Sequence, residues 1–375
     1  MNPFKYGKIV EKEDFCNRNQ ELQFLKRKIL NNQSVWLYSP RRYGKSSLLL
    51  KAFGEIEDIK TIYFDLYNIL TLSDFAQQYS DAISKELFDW QQDMRKLLQN
   101  LGQYYAGLSP SITLDETGAP TFRLEKSFLS KKANIGKILS VPEEIGKRNN
   151  IHICIAFDEF QEYKRIDPFL VNQMRSIFQT QKNVSYIFMG SKQSLMQSIF
   201  SDPNSPFYEF GEKMTIAPIV KKDWIEFISN KFNQTHLKIK KKTIDEILEI
   251  SKGHPHYTQY FSSVVWNLIN EGVDQNPQQF LQQWLGRIIN SQSDIFQNIL
   301  DQLTNNQRKV LLALSTSDSL QLYGKETADK FNFPSDSTLN EAVKGLLKKD
   351  IIIKKNGYYQ LANIIMKEWL KKISA

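Results

Sequence analysis

Residues 35–50 read VWLYSPRRYGKSSLLL. Val35 to Tyr38 is a β-branched and aromatic run suited to a buried strand. A short polar loop follows, and Gly44-Lys45-Ser46 opens an amphipathic helix carrying Leu48, Leu49, Ala52 and Phe53. Strand, loop and helix in that order match the phosphate-loop pattern G-x-x-x-x-G-K-[ST], with Ser39 at the first glycine position. Gly44 lets the backbone take a positive φ and approach a phosphate, Lys45 sets an ammonium against the β/γ oxygens, and Ser46 offers a hydroxyl to Mg2+. The helix N-terminus adds free N–H groups and the positive end of its dipole. The expected nucleotide-binding segment is therefore Ser39, Pro40, Arg41, Arg42, Tyr43, Gly44, Lys45, Ser46 and Ser47. Serine at position 39 is expected to reach the turn with more strain than glycine, tuning affinity without abolishing it.

Working outward, Asn19 to Leu30 has Leu22, Leu25 and Ile29 on one helical face. Further strands are expected at Lys60 to Tyr67, Ile151 to Phe160, Val184 to Ser191 and Met214 to Ile219, mostly continuous apolar runs separated by helical stretches. Such runs belong to a parallel sheet covered on both faces. One long helix is expected where Phe75, Tyr79, Ile83, Leu87, Trp90, Met94 and Leu97 recur at three- and four-residue steps. Alternation at Ile112 and Leu114 against Phe122 and Leu124, around Gly118-Ala119-Pro120, predicts a hairpin on the sheet edge. Residues 221–300 read as helical, with Gly253-His254-Pro255 as punctuation. Thr304 and Gln307 form a capping box. Three helices, Ile351 to Lys355, the turn Asn356-Gly357 and Tyr358 to Leu361 then describe a winged helix.

Phosphoryl transfer needs a carboxylate near Mg2+ and a base to orient the attacking water. Asp158-Glu159 supply both at the end of an apolar strand, where open α/β sheets bind ligands. Gly190-Ser191, ending the next strand, offers a polar group to the γ-phosphate or simply a strand-to-helix turn.

The rest of the chain narrows the function classes. Its 375 residues suffice for two or three domains. No signal-peptide core or membrane-length apolar run is seen, so a cytoplasmic protein is expected. Cys16 and Cys154 make no disulfide framework or zinc pattern, and Cys154 lies in an apolar strand where packing is the expected role. A net charge of +8 permits polyanion binding, but its lysines are scattered along the whole chain.

Together these residues resemble the archaeal-type family of prokaryotic P-loop ATPases, related to the AAA+ proteins and the signal-transducing STAND ATPases. The matching stretches are Asn2-Pro3-Phe4 with Tyr6-Gly7, Phe15-Cys16-Asn17-Arg18 with Glu21, SPRRYGKSS, AFDEFQE at Ala156 to Glu162, MGS at Met189 to Ser191, SPFY at Ser205 to Tyr208, GHP at Gly253 to Pro255, and the winged-helix tail. The resemblance implies an α/β P-loop NTPase with a central parallel sheet of order 5-1-4-3-2 (residues 1–220), a helical lid (221–300) and a winged helix (301–375). ATP and Mg2+ are the implied cofactors. Asp158 with Ser46 would hold the metal, and Glu159 would be the catalytic base beside Lys45. Ser191 would sense the γ-phosphate, Arg18 with Glu21 would close over the base side, and Pro255 would bring the lid against the adenine. Two positions depart from the family pattern. Asn17 replaces a usual glycine. Phe210 stands where relatives carry an arginine, which favours a monomer or a different finger, with Arg165 and Arg175 as alternatives or plain surface residues.

Two functions fit: a slow ATPase switch regulating a partner, or a DNA-binding ATPase using its winged helix. Residues 305–375 hold 12 Lys and Arg against 7 Asp and Glu, a net of +5. However, the expected reading helix, Ser337 to Lys349, begins with Thr338, Asn340 and Glu341, and its lysines come late. Winged helices also dock proteins, so DNA or a protein is the expected partner, and no membrane. A nucleotide-binding module without turnover is a third reading, poorly supported because both Lys45 and Glu159 are present.

Overall fold

The computed structural model describes every residue except 11, 89–93, 115–119, 126–131, 334, 356 and 375. The chain divides into two compact units, Ile9–Pro218 and the pair of segments Met1–Lys8 and Ile219–Ala375.

In the first unit, α1 (Asn19–Leu30), β1 (Val35–Tyr38), α2 (Lys45–Gly54), β2 (Lys60–Asp65) and α3 (Leu72–Leu87) follow one another. Next come α4 (Met94–Tyr104), the hairpin strands β3 (Ser111–Leu114) and β4 (Pro120–Arg123), and α5 (Lys132–Asn149). Then follow β5 (Ile153–Asp158), α6 (Tyr163–Ile166), α7 (Leu170–Phe178), β6 (Val184–Gly190), α8 (Gln193–Phe200) and β7 (Glu212–Thr215). The main sheet is wholly parallel with order β2-β5-β6-β1-β7. Numbered without the hairpin strands and read from the β7 edge, that order is 5-1-4-3-2.

Every residue of β5 and β6 is buried, which is why these strands read as unbroken apolar runs rather than alternating ones. Odd and even residues serve opposite faces. Val35, Leu37, Cys154, Ala156 and Met189 pack with Leu25 of α1 and with Leu48 and Leu49 of α2. Trp36, Ile155, Phe157 and Phe188 pack with Tyr79 of α3, Leu139 of α5 and Phe178 of α7. Burial pushes the Cys154 thiol up to about 12, as suits a packing residue.

Three expectations are revised. The long helix beyond α2 is broken, because Phe88 is extended (φ −121°, ψ 149°) and α3 ends at Leu87; Trp90 lies outside the described residues. The hairpin β3–β4 forms its own two-stranded sheet rather than extending the main one. It is pinned to α3 instead: Gln77 Nε2 donates to Phe122 O (2.7 Å), and Leu124 N donates to Gln77 Oε1 (2.9 Å). Its Gly118-Ala119 turn lies outside the described residues. The third is at the C-terminus, where a helix follows the winged-helix strands.

In the second unit, five helices run in succession: α9 (Lys221–Gln234), α10 (Lys241–Ser251), α11 (Pro255–Asn270), α12 (Pro277–Asn290) and α13 (Ser293–Asp301). The first residues of the chain join them. Asn2 Nδ2 donates to Ser263 O (2.9 Å) and Asn267 Oδ1 (2.9 Å), while Phe4 is buried against Phe227 and Phe232. Gly253 turns between α10 and α11 with φ 70°, and its carbonyl accepts from Ile219 N and Trp224 Nε1, both at 3.1 Å.

The winged helix comprises α14 (Asn305–Thr316), α15 (Lys325–Phe331), α16 (Asp336–Lys348) and the ribbon β8 (Ile352–Lys355) and β9 (Tyr358–Leu361). Thr304 and Gln307 make the reciprocal capping box at α14. Asn356 of the ribbon turn is outside the described residues. A final helix, α17 (Ile364–Ser374), is absent from the sequence expectation. Ile365, Met366, Trp369 and Leu370 repeat at helical spacing and are buried. Among the described residues no helix is long and apolar enough to cross a membrane.

Candidate active site

Parallel pairing brings the site together. Tyr38 is level with Gly190 across β1–β6, and Phe157 with Phe188 across β5–β6. Ser39, Asp158, Glu159 and Ser191 therefore emerge at the same C-terminal edge of the sheet, where such sheets bind ligands.

Gly44 caps α2 in the left-handed region (φ 84°, ψ 28°), so the helix begins at Lys45 with its first N–H groups facing the loop. Arg42 is also left-handed (φ 64°). Ser39 is not among the residues of positive φ, so the expected strain at this position is absent. It is wholly buried, and its carbonyl accepts from Lys45 Nζ at 3.2 Å. Lys45 is 7% exposed. Burial lowers its pKa, and the charges of Glu159 and Asp158 oppose that shift. Of the other loop residues, Arg41 and Arg42 are exposed, whereas Pro40, Tyr43, Gly44 and Ser46 are half-buried. Ser47 is buried, and its Oγ accepts from Val10 N at 3.1 Å.

Asp158 is buried and carries three donors. Ser46 Oγ (2.7 Å) and Tyr63 Oη (2.6 Å) both donate to its Oδ2, and Glu159 N (2.8 Å) donates to its Oδ1. Burial and the Asp158 charge raise the Tyr63 pKa well above its ordinary value. Glu159 itself is left-handed (φ 47°, ψ 43°). For a residue with a side chain this conformation costs about 1–3 kcal/mol, and such strain clusters at functional sites. Its Oε2 accepts from Ser191 Oγ (2.8 Å) and from Gln161 Nε2. Gln161 is 3% exposed, and its Oε1 has no hydrogen-bond partner among the described residues.

Arg18 is 4% exposed and bridges three segments. Its guanidinium donates to Glu21 Oε1 (3.0 Å), to Ala217 O (3.0 Å) and to the loop carbonyl of Tyr43 (3.2 Å). Burial lowers its pKa against the raising effect of Glu21. Pro255 begins α11 in the second unit. Arg165 bonds the carbonyls of Tyr67 and Ile69 and pairs with Glu162. Arg175 Nε donates to Pro206 O (2.8 Å), and its guanidinium lies 4.8 Å from the Phe210 ring centroid. Tyr63 and Gln161 are not among the residues that the sequence marks as functional. Strand alternation puts Tyr63 on the face of Ala156 and Asp158, but nothing local shows that its hydroxyl reaches the carboxylate.

A parallel sheet whose first strand runs through a glycine-capped Gly-Lys-Ser turn into a helix defines a P-loop nucleotide hydrolase fold. The chain belongs to the family described as ATPase domain predominantly from Archaea, matched over residues 15–261. Residues 294–372 match a family described as a probable winged helix domain. An uncharacterized ATP-binding protein of Methanocaldococcus jannaschii is 21% identical over 372 residues, covering 94% of this chain and 99% of that one. A Walker-type ATPase of Pyrococcus abyssi superposes with a TM-score of 0.68 at 18% identity, over 98% of this chain and 99% of its own. The ORC2 protein of Aeropyrum pernix in its ADP form gives 0.52 at 12% identity, over 100% and 98%. At these identities the two structures establish the fold alone.

Proposed function

We propose that this chain binds ATP with Mg2+ at the strand-end site, hydrolyses it slowly, and uses its nucleotide state to regulate a partner of the winged helix. The observation that carries this reading is the convergence of Lys45, Ser46, Asp158, Glu159 and Ser191 on one sheet edge. Lys45 would supply a buried counter-charge to the β/γ oxygens, and the N–H groups of the Gly44 turn would receive the phosphates.

The residues present fit Mg2+. Ser46 and Asp158 bring hard oxygen donors within 2.7 Å of each other. Among the described residues no cluster of three or more His, Cys, Asp or Glu forms an all-protein metal cage. That is the usual arrangement for a cation held by one carboxylate, waters and substrate phosphates. When bound, Mg2+ neutralises charge on the transferring phosphoryl group. Glu159 would orient water as base, and Ser191 would meet the γ-phosphate. Both are at present bonded to each other. The one hydroxyl proton of Ser191 is given to Glu159 Oε2, so Ser191 must leave Glu159 before it can donate to a γ-phosphate, while Glu159 keeps acceptor capacity for a water. Arg18, holding the Tyr43 carbonyl, would keep the loop in its receiving shape.

DNA binding is the second reading, favoured by the exposed Lys354 and Lys355 on β8. Against base reading, Asn340 of α16 accepts from Tyr323 Oη (2.7 Å), and Glu341 pairs with Lys344 (3.0 Å). Phosphate contacts would then dominate. Steady-state ATP hydrolysis with Mg2+, with and without double-stranded DNA, separates the two. Slow turnover indifferent to DNA is expected. Strong stimulation that fades with added salt would put DNA binding first, and no turnover at all would refute the ATPase reading.

A further inference from the structure

Tyr63 lies on β2, level with Ala156 on β5, and the next residue of β5 on that face is Asp158. Its ring packs at the margin of the apolar cluster beneath α2. From there its hydroxyl reaches Asp158 Oδ2 at 2.6 Å, the same oxygen that Ser46 Oγ meets at 2.7 Å. Ser46 Oγ and Tyr63 Oη thus converge as donors on one oxygen of Asp158.

From this geometry we infer that Tyr63 is a positioning residue for metal-dependent nucleotide binding, holding the Asp158 carboxylate in place when Ser46 turns to a cation. The inference rests on the proposed ATP and Mg2+ site. A serine hydroxyl that offers its lone pair to a metal can no longer keep its present bond to Asp158 in the same geometry. Tyr63 is then the remaining side-chain donor on Oδ2, while Glu159 N continues to hold Oδ1. Both oxygens stay anchored, so the carboxylate faces the metal's water shell in one orientation rather than several. Outer-shell donors of this kind affect metal affinity by roughly tenfold to a hundredfold. Ordinary packing would not account for the hydroxyl: the ring alone fills the cluster, and the oxygen is spent on Asp158.

The test is Tyr63→Phe in the full chain, which keeps the ring and removes the oxygen. A ribose-labelled fluorescent ATP is bound first in EDTA and then titrated with MgCl2, and hydrolysis is measured across the same Mg2+ range. The expected result is a Mg2+ midpoint raised about tenfold with nucleotide affinity in EDTA unchanged. The Mg2+ constant for turnover should rise more than the rate at saturating Mg2+ falls. Coincident midpoints for the two proteins would overturn the role of Tyr63 while leaving the site intact. Equal weakening in EDTA would overturn it too, by making the hydroxyl a support of the loop. A wild-type protein whose nucleotide binding ignores Mg2+ would instead refute the underlying site, and this inference with it.

Discussion

Ser191 Oγ donates a 2.8 Å hydrogen bond to Glu159 Oε2, joining residues 32 positions apart at the ends of neighbouring strands. With Gln161 Nε2 on the same oxygen, the proposed base is held by two protein donors. Ser191→Ala should remove one restraint and also the group meant for the γ-phosphate. A release of Glu159 alone would raise turnover, whereas sensing by Ser191 would lower it. The expected outcome is a lower kcat with ATP affinity changed less, read from single-turnover hydrolysis beside equilibrium binding.

Glu159→Gln keeps the shape and the hydrogen-bonding length of the side chain but removes the basic carboxylate. General-base loss typically costs 10²–10⁴-fold. ATP binding should persist while hydrolysis falls by about that factor, so that ATP stays trapped on the protein. Hydrolysis at the wild-type rate would reassign the base.

Gly44→Ala tests the turn itself. A Cβ at this position would meet nothing within 4 Å, so the penalty is backbone strain at φ 84° and not a clash. The left-handed conformation costs a residue with a Cβ roughly 1–2 kcal/mol. Urea unfolding should show a loss of about that size, with ATP affinity reduced as the loop relaxes.

Arg18→Ala removes three interactions from a buried position. Hydrogen bonds to a charged group are worth about 1.5–3 kcal/mol each, with losses that do not add. A destabilisation of about 2–4 kcal/mol is expected, together with weaker ATP binding through the Tyr43 carbonyl. Arg18→Lys should rescue little of either, because an ammonium lacks the planar fork that reaches both the Tyr43 and Ala217 carbonyls.

Gly190→Ala would place a Cβ 2.4 Å from Gln161 Oε1 and 2.4 Å from Met196 Sδ, both in a buried setting. Overpacking of this kind costs about 1–3 kcal/mol. The shift should also pull Gln161 away from Glu159. Thermal unfolding reads the first effect, and a changed turnover rate at saturating ATP reads the second.

Much of the fold was legible because its signals are local. The phosphate loop occupies consecutive residues, so strand, Gly44 turn and helix declare themselves by neighbour chemistry. The unbroken apolar runs of β5 and β6 announced burial on both sides, and Thr304 with Gln307 announced the start of α14. The terminal helix went unread, although Ile365, Met366, Trp369 and Leu370 carry helical spacing. The break at Phe88 was not legible, because the three- and four-residue spacing runs through it without a proline or glycine to mark the stop.

The sequence by itself determined the chemistry on offer: a lysine and a serine at a glycine-capped helix start, two carboxylates at a strand end, and a C-terminal winged helix. Only the tertiary structure decided which of these groups meet. Tyr63 reaches Asp158 across 95 residues and Ser46 reaches it across 112. Likewise, Ser47 Oγ meets the N–H of Val10, 37 residues away, and the hairpin leans on α3 instead of the sheet. The physical reason is that hydrogen bonds are set by distances of about 3 Å, and the sheet's strand order, not spacing along the chain, brings atoms that close.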